Sequence, residues 1–199
     1  MSNMDPKYSP LFTPWKIRDV EIKNRIVLCP MGGTSLFGWM ELTGNHFDKE
    51  AAKFFLEKAN NNVGLIITGI APIKSTYWGQ WLYENEKMFV ELKEFMKEIH
   101  KTGAKLFIQI TAGMGRSWAI TTPLVPLHNN KVISKLIKPI IDIPYESASP
   151  SELPSRWAEN MTTRAPTKKE IEEIIEGFAK TAKLCKEAGV DGVEVHAVH

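Results

Sequence analysis

Cysteine is scarce: Cys29 and Cys185 are the only two in 199 residues. Thiols so far apart form neither a disulfide framework nor a metal-ligand spacing, and they read as reduced, buried thiols of a cytosolic protein. Long apolar runs are also missing. The longest mostly apolar stretch, residues 63–73, is interrupted by glycines and is too short to cross a bilayer. Residues 1–10 are polar and lack the apolar core of a secretory signal. Neither sign of charge dominates. The formal net charge of +2 gives no electrostatic case for nucleic acid or for an anionic membrane. No internal repeat or low-complexity tract is present. These absences leave a soluble, cytoplasmic globular chain, 43% hydrophobic and 24% charged, long enough for one sizeable core.

What is present is a rhythm. Residues 17–22 fit a short hairpin turning near Arg18-Asp19. Residues 25–29 form a continuous apolar run, the pattern of a strand buried on both faces, and end in the turn Pro30-Met31-Gly32-Gly33. A helical pattern follows over 47–60, with Ala51, Ala52, Phe55 and Ala59 on one face. The unit repeats. A second buried strand over 63–68 ends in Gly69, and Asn85 caps a helix striped with Met88, Leu92, Phe95, Met96 and Ile99. Gly103 closes that helix, and residues 105–110 make the third strand.

Residues 111–166 break the rhythm and read as a long loop over the active face, holding seven of the twelve prolines. A capping box at Thr167–Glu170 then opens a helix striped by Ile171, Ile174, Ile175, Phe178, Ala182 and Cys185, which runs to Gly189. The fourth strand, over 193–196, alternates Val193 and Val195 with Glu194 and His196 and carries His199 just beyond its end. Successive βα units build a parallel sheet with right-handed crossovers. The predicted fold is α/β, the first half of a (β/α)8 TIM barrel comprising an N-terminal hairpin and strands one to four. A whole barrel takes about 250 residues. An open doubly wound sheet is the alternative, but it usually carries a glycine-rich phosphate fingerprint after its first strand, and Pro30-Met31-Gly32-Gly33-Thr34 does not match one.

An ordered set of motifs narrows the reading. Leu11-Phe12-Thr13-Pro14, Lys23-Asn24-Arg25-Ile26-Val27, Pro30-Met31-Gly32, the run 64–69, Ile108-Gln109-Ile110-Thr111-Ala112-Gly113, Gly115-Arg116 and Gly192-Val193-Glu194-Val195-His196 fall in sequence. Together they resemble the old yellow enzyme family of flavin oxidoreductases. The resemblance is to the long subgroup that includes 2,4-dienoyl-CoA reductase and the clostridial bile-acid enoate oxidoreductases, and it covers essentially the whole chain. It implies that residues 1–199 are the N-terminal half of an FMN-binding barrel domain. FMN would be reduced by NADH or NADPH, and the substrate would be a small enone or enoyl thioester. Oligomeric state stays open, a homo-oligomer included.

The resemblance also implies roles. Pro30, Met31 and Gly32 would lie under the isoalloxazine ring, Gly69 would allow close approach at the second strand end, and Gln109 would bond the ring's pyrimidine edge. His196 and His199 match the pair that grips the substrate carbonyl oxygen. The chemistry is coherent: hydride transfer to an enone puts negative charge on that oxygen, and two imidazole N–H donors stabilise it. A carboxamide supplies a donor and an acceptor to an alternating edge. Gly32 departs from relatives that carry Thr or Cys there to tune the flavin. By the same resemblance, the family's tyrosine proton donor and the barrel's second half would lie beyond His199. A 4Fe-4S cluster and FAD are implied only if a further C-terminal part resembles that of the long relatives.

Plainer readings stand beside these. Glu194 would point the same way as His196 and make a structural hydrogen bond, and Arg116 would brace a loop or touch flavin. Tyr77, Trp78, Trp81 and Tyr83 would line a pocket or pack together, while His46, His100 and His128 read as ordinary histidines. An aldolase- or isomerase-type phosphate barrel would want a lysine or paired carboxylates at strand ends, which these strands do not offer. A truncated, non-catalytic half-barrel is the remaining alternative, and these 199 residues alone are expected to be inactive.

Overall fold

The computed structural model describes residues 5–38, 41–118 and 125–197. The chain enters through a seven-residue 3-10 segment, Pro6–Phe12, and then the hairpin of β1 (Trp15–Ile17) and β2 (Val20–Ile22). The hairpin turns where expected, with Arg18 in the left-handed region at φ 51°. Lys23 Nζ donates to the Thr102 carbonyl (2.8 Å), tying the segment after the hairpin to the loop that enters the third barrel strand. This end of the sheet is also braced by Asp191, whose carboxylate takes Lys105 (3.1 Å), His100 (3.0 Å) and the Leu106 N–H (3.0 Å). The hairpin therefore sits at the N-terminal ends of the strands, opposite the face where barrel chemistry resides.

Four strands carry the barrel pattern: β3 (Val27–Leu28), β4 (Leu65–Ile67), β6 (Lys105–Thr111) and β7 (Gly192–Val195). Each pairs in parallel with the next in chain order, Leu28 opposite Ile66, Ile67 opposite Phe107 and Gln109 opposite Glu194. The short β5 (Ala71–Pro72) continues the line of β4 along β6, because Ile110 has Ala71 on one side and Val195 on the other. Helices α1 (Lys49–Asn60), α2 (Glu86–Lys101) and α6 (Lys168–Glu187) join these strands. All three pack on one face of the sheet in a single apolar cluster with Ile66, Leu106, Ile108 and Ile110. Sequential parallel order with every crossover on the same face is the arrangement of half a (β/α)8 barrel. A doubly wound sheet would put helices on both faces and reverse its order.

Local chemistry explains the helix boundaries. Asp48 caps α1 by accepting from the Glu50 and Ala51 N–H groups at 2.9 Å each, and Asn85 caps α2 through Met88 N–H. Thr167 and Glu170 form the reciprocal capping box of α6. Arg164 reaches the same box with a two-pronged ion pair to Glu170 (2.7 and 2.9 Å) and donates to the Pro144 carbonyl (2.6 Å). That pairing, with Thr167 contacts adding to it, holds the Glu170 carboxyl down at about 2.

Residues 111–166 are not a bare loop. They include the short helices α3 (Val125–Asn129), α4 (Lys131–Ile137) and α5 (Ile143–Glu146) and a small core of their own, in which Met114, Trp118, Val125, Ile141, Ile143 and Met161 are buried. Proline density marked the absence of long elements correctly, but the apolar residues between prolines were numerous enough to pack. Cys185 is buried as expected and Cys29 is exposed, because residue 29 lies just past β3 at the open end of the sheet. Among the described residues no helix is long and apolar enough to cross a membrane.

Candidate active site

Side-chain alternation along the strands decides which residues face the interior of the curved sheet. Leu106, Ile108 and Ile110 point into the helix-side cluster, so Phe107, Gln109 and Thr111 point the other way. The parallel register carries the same division to β7, where Gly192, Glu194 and His196 share the inner side with them. Gly192 is there because Phe107 fills the space: a Cβ at that position would lie 2.7 Å from the phenyl ring.

Gln109 is buried, 5% exposed, and its Nε2 donates to Glu194 Oε1 at 2.5 Å. The two side chains are direct cross-strand neighbours, so the bond follows from register alone. One residue pair further toward the C-terminal end, the His196 N–H donates to the Ile110 carbonyl (2.9 Å), which extends the ladder past β7 and sets the imidazole at the mouth of the sheet. His199 lies outside the described residues.

At the other edge, the turn after β3 folds back on itself. The Met31 carbonyl accepts from Thr34 Oγ1 (2.8 Å) and from Thr34 N–H (3.3 Å), and Thr34's own carbonyl accepts from Gly69 N–H (3.2 Å). Gly69 is required by this approach, since a Cβ would collide with the Met31 carbonyl and with Thr34. The close contact at the second strand end is thus with the neighbouring turn of the same chain. Met31 and Gly32 are exposed, and beyond its chain neighbours no atom of the described residues stands within 4 Å of where a Gly32 side chain would begin. The result is bare backbone at the C-terminal end of the first barrel strand.

The described residues after β6, 112–118 and 125–166, lie beside the C-terminal end of that strand and the start of α6. Beside His196 a cleft of about 430 Å³ is lined by Thr111, Gly113, Tyr145, Ser149 and Phe178. The Tyr145 ring carries the Lys74 ammonium at 4.4 Å, and its buried hydroxyl has no partner among the described residues. Next to it Glu146 is buried, 4% exposed, near Gly113 at the end of β6. Burial pushes the Glu146 carboxyl up to about 7, with Asp142 adding to the rise while a Thr76 hydrogen bond and Lys74 oppose it. Sequence reading passed over this group. Its one signal was Asp142 and Glu146 at helical spacing in a proline-rich stretch.

Other side chains settle into structural roles. Arg116 braces the segment after β6, Nε donating to the Pro154 carbonyl (3.1 Å) and its own carbonyl accepting from Ser155 and Arg156. Trp81 stacks on Tyr83 and packs against Gly177, so it belongs to a packed cluster with Lys74 and Lys180 over its rings and those of its neighbour. His46 bonds locally to Gly44, while His100 and His128 make tertiary contacts with Asp191 and Thr162. Among the described residues no three His, Cys, Asp or Glu side chains gather as metal ligands.

Comparison with known proteins gives this geometry a context. Residues 10–199 match the model of the NADH:flavin oxidoreductase / NADH oxidase family. The chain belongs to that family. It is 32% identical over 203 residues to cinnamate reductase of Clostridium sporogenes, covering 98% of this chain and 27% of that protein. It is also 32% identical to an NADPH dehydrogenase of Bacillus velezensis, covering 95% of this chain and 48% of the other. Among solved structures, the Old Yellow Enzyme of Pichia sp. AKU4542 superposes with a TM-score of 0.64 at 25% identity, over 94% of this chain and 45% of that one. The chain therefore spans between about a quarter and a half of the curated relatives it matches. Membership in this flavin oxidoreductase family removes the aldolase or isomerase alternative, and the half-barrel agrees with the fold of these neighbours.

Of the residues expected to form the site, Gly69 at the end of the second barrel strand approaches Met31 and Thr34 in the turn after the first, a turn that also contains Pro30 and Gly32. Gln109 lies on the third barrel strand and His196 just past the fourth, bonded to Glu194 and through its N–H to Ile110 respectively. Glu194, read from sequence as a structural partner, turns out to be the hydrogen-bond acceptor of Gln109 itself.

Proposed function

We propose that this chain is the substrate- and flavin-facing half of an FMN-dependent ene-reductase, which takes hydride from NADH or NADPH and delivers it to an α,β-unsaturated carbonyl or enoyl thioester. FMN, when bound, supplies the hydride chemistry. The observation that carries the reading is the shared inner register of Gln109, Glu194 and His196 at the strand ends of a flavin-oxidoreductase family member. The residues fit such a ring. The bare backbone at Met31 and Gly32 leaves room for a flat aromatic system to lie against it, and the Gln109 amide offers polar atoms to its edge.

In this reading Pro30, Met31, Gly32 and Gly69 shape the floor, and Gln109 holds the pyrimidine edge. His196 and His199 donate hydrogen bonds to the substrate's carbonyl oxygen, where negative charge develops. Preorganised donors aimed at that oxygen lower the barrier because they need no rearrangement during the reaction. A cytoplasmic location suits the two free thiols.

The test separates the two half-reactions in the full-length protein. His196→Ala and His199→Ala should leave FMN bound and its reduction by nicotinamide nearly intact, while the enone step slows by about 10²–10³. A phenol placed on the oxidised flavin should give a long-wavelength charge-transfer band that fades in each variant. An enone step of undiminished rate in stopped flow removes the histidines from the reaction.

A further inference from the structure

We propose that Glu194 is a positioning residue for Gln109, setting which of its polar atoms face a ligand in the barrel interior. The inference rests on the flavin reading above and assigns a role to a residue outside the proposed contact set. Its basis is geometric. Gln109 and Glu194 stand opposite one another on β6 and β7, both on the inner side, and Gln109 Nε2 donates to Glu194 Oε1 at 2.5 Å.

A carboxamide has two faces of opposite polarity, and a half-turn about its last bond exchanges donor for acceptor. For a free Gln side chain the two orientations differ little. Here the neighbour decides. A carboxylate accepts and has no proton to donate, so only the orientation with nitrogen toward β7 makes the bond, and the flipped one sets oxygen against oxygen. Gln109 is buried at 5% exposure, so water does not replace the lost partner. The bond uses one N–H and leaves the other N–H and the carbonyl oxygen. Those are a donor and an acceptor on one planar group, the complement of a ring edge that alternates carbonyl and N–H. Glu194 thereby selects a ligand edge of that pattern without touching the ligand.

Two predictions separate positioning from mere support of the sheet. Glu194→Gln can still present a carbonyl to Gln109, so FMN affinity should stay within about threefold. Glu194→Met keeps the length and removes the acceptor, so affinity should fall by about tenfold, in the range for one uncompensated buried hydrogen bond. Loss of the carboxylate charge near the ring should also move the flavin midpoint potential upward in Glu194→Gln, since the electron-rich reduced form is less opposed.

The decisive experiment is a double-mutant cycle on the full-length protein, with FMN dissociation constant and flavin midpoint potential read by titration and melting temperature read alongside. If Glu194 works through Gln109, the pair Gln109→Leu with Glu194→Met should bind FMN no worse than Gln109→Leu alone, about tenfold below wild type. An additive, roughly hundredfold loss would mean that Glu194 acts independently, and the inference falls. So does unchanged affinity in Glu194→Met, or a loss in Glu194→Gln equal to that in Glu194→Met. If Gln109→Leu itself binds FMN like wild type, or the wild type binds none, the flavin reading fails and takes this inference with it.

Discussion

Helices α2 and α6 are both amphipathic, both capped by side chains and both laid on the same face of the sheet, yet they bury very different amounts. Met88, Phe89, Leu92, Phe95, Met96 and Ile99 of α2 all lie in the core. On α6 only Gly177, Thr181 and Cys185 are buried, while Ile171 is 43% and Ile175 62% exposed. The strand that follows shows the same deficit, with Val195 58% exposed. Position explains the contrast. Helix α2 lies between α1 and α6 and is packed from both sides, whereas α6 and β7 form the last flank of the half-barrel and have no neighbour beyond them among the described residues. An apolar stripe records what a helix is built to bury. Whether it does so depends on what stands next to it.

This contrast can be broken or sharpened by measurement, beginning with the largest effect. In the 199-residue chain produced alone, β3 and β7 have unpaired edges among the described residues, which favours strand addition between copies. It is expected to self-associate and to hold no stoichiometric FMN. A yellow monomer with one FMN per chain, seen by absorbance and light scattering, would show that the open flank does not matter.

Core truncation comes next. Leu92→Ala removes a fully buried side chain from the closed flank and should cost about 2–5 kcal/mol in denaturant unfolding. A cost below 1 kcal/mol there would mean that α2 is packed no better than α6. Gly177→Ala probes the closest approach of α6 to the Trp81 ring. The new Cβ would sit 2.6 Å from the Trp81 ring, so overpacking should outweigh the better helix propensity of alanine by about 1–2 kcal/mol. Stabilisation instead would show that Trp81 yields freely.

The polar anchor of α6 should matter less and should depend on pH. The Glu170 carboxyl titrates well below its ordinary value, so its contribution is present above about pH 4.5 and is lost as pH falls through about 2. Both partners are partly exposed, which limits the effect to less than about 1 kcal/mol. Arg164→Met should reduce the acid dependence in that window, and an unchanged acid profile would make the ion pair ornamental. Smallest of all, Ile175→Lys should shift stability by no more than about 0.5 kcal/mol in this chain while improving its solubility. A large destabilisation would show that the flank is covered.

Much of this was legible from residues alone, and the reasons differ by level. Strand and helix identities followed from local periodicity and caps: Thr167 with Glu170, Asn85 and the turn at Arg18 all act within a few residues of themselves. The strand end carrying His196 was legible for the same reason, because period-2 alternation assigns a face without knowledge of the partner strand, whereas Gln109 stood out only as part of the ordered motifs of the family resemblance. What local signals could not carry was any quantity that depends on a distant neighbour. The small core among residues 111–166 needed Met114 and Met161 to meet across that segment. The burial of Glu146 needed Thr76 and Lys74 from a different loop. Gly69 was visible as the end of a strand and a point of close approach, but what approaches it is the Met31–Thr34 turn nearly forty positions earlier. Glu194 could be assigned a face by counting, while the atom it binds was decided by parallel register, because only pairing β6 with β7 at Ile108 and Val193 puts Gln109 opposite it. Sequence determined which groups point inward at the mouth of the sheet, and tertiary pairing decided which of them hold one another, since a hydrogen bond between strands depends on a register that neither strand encodes by itself.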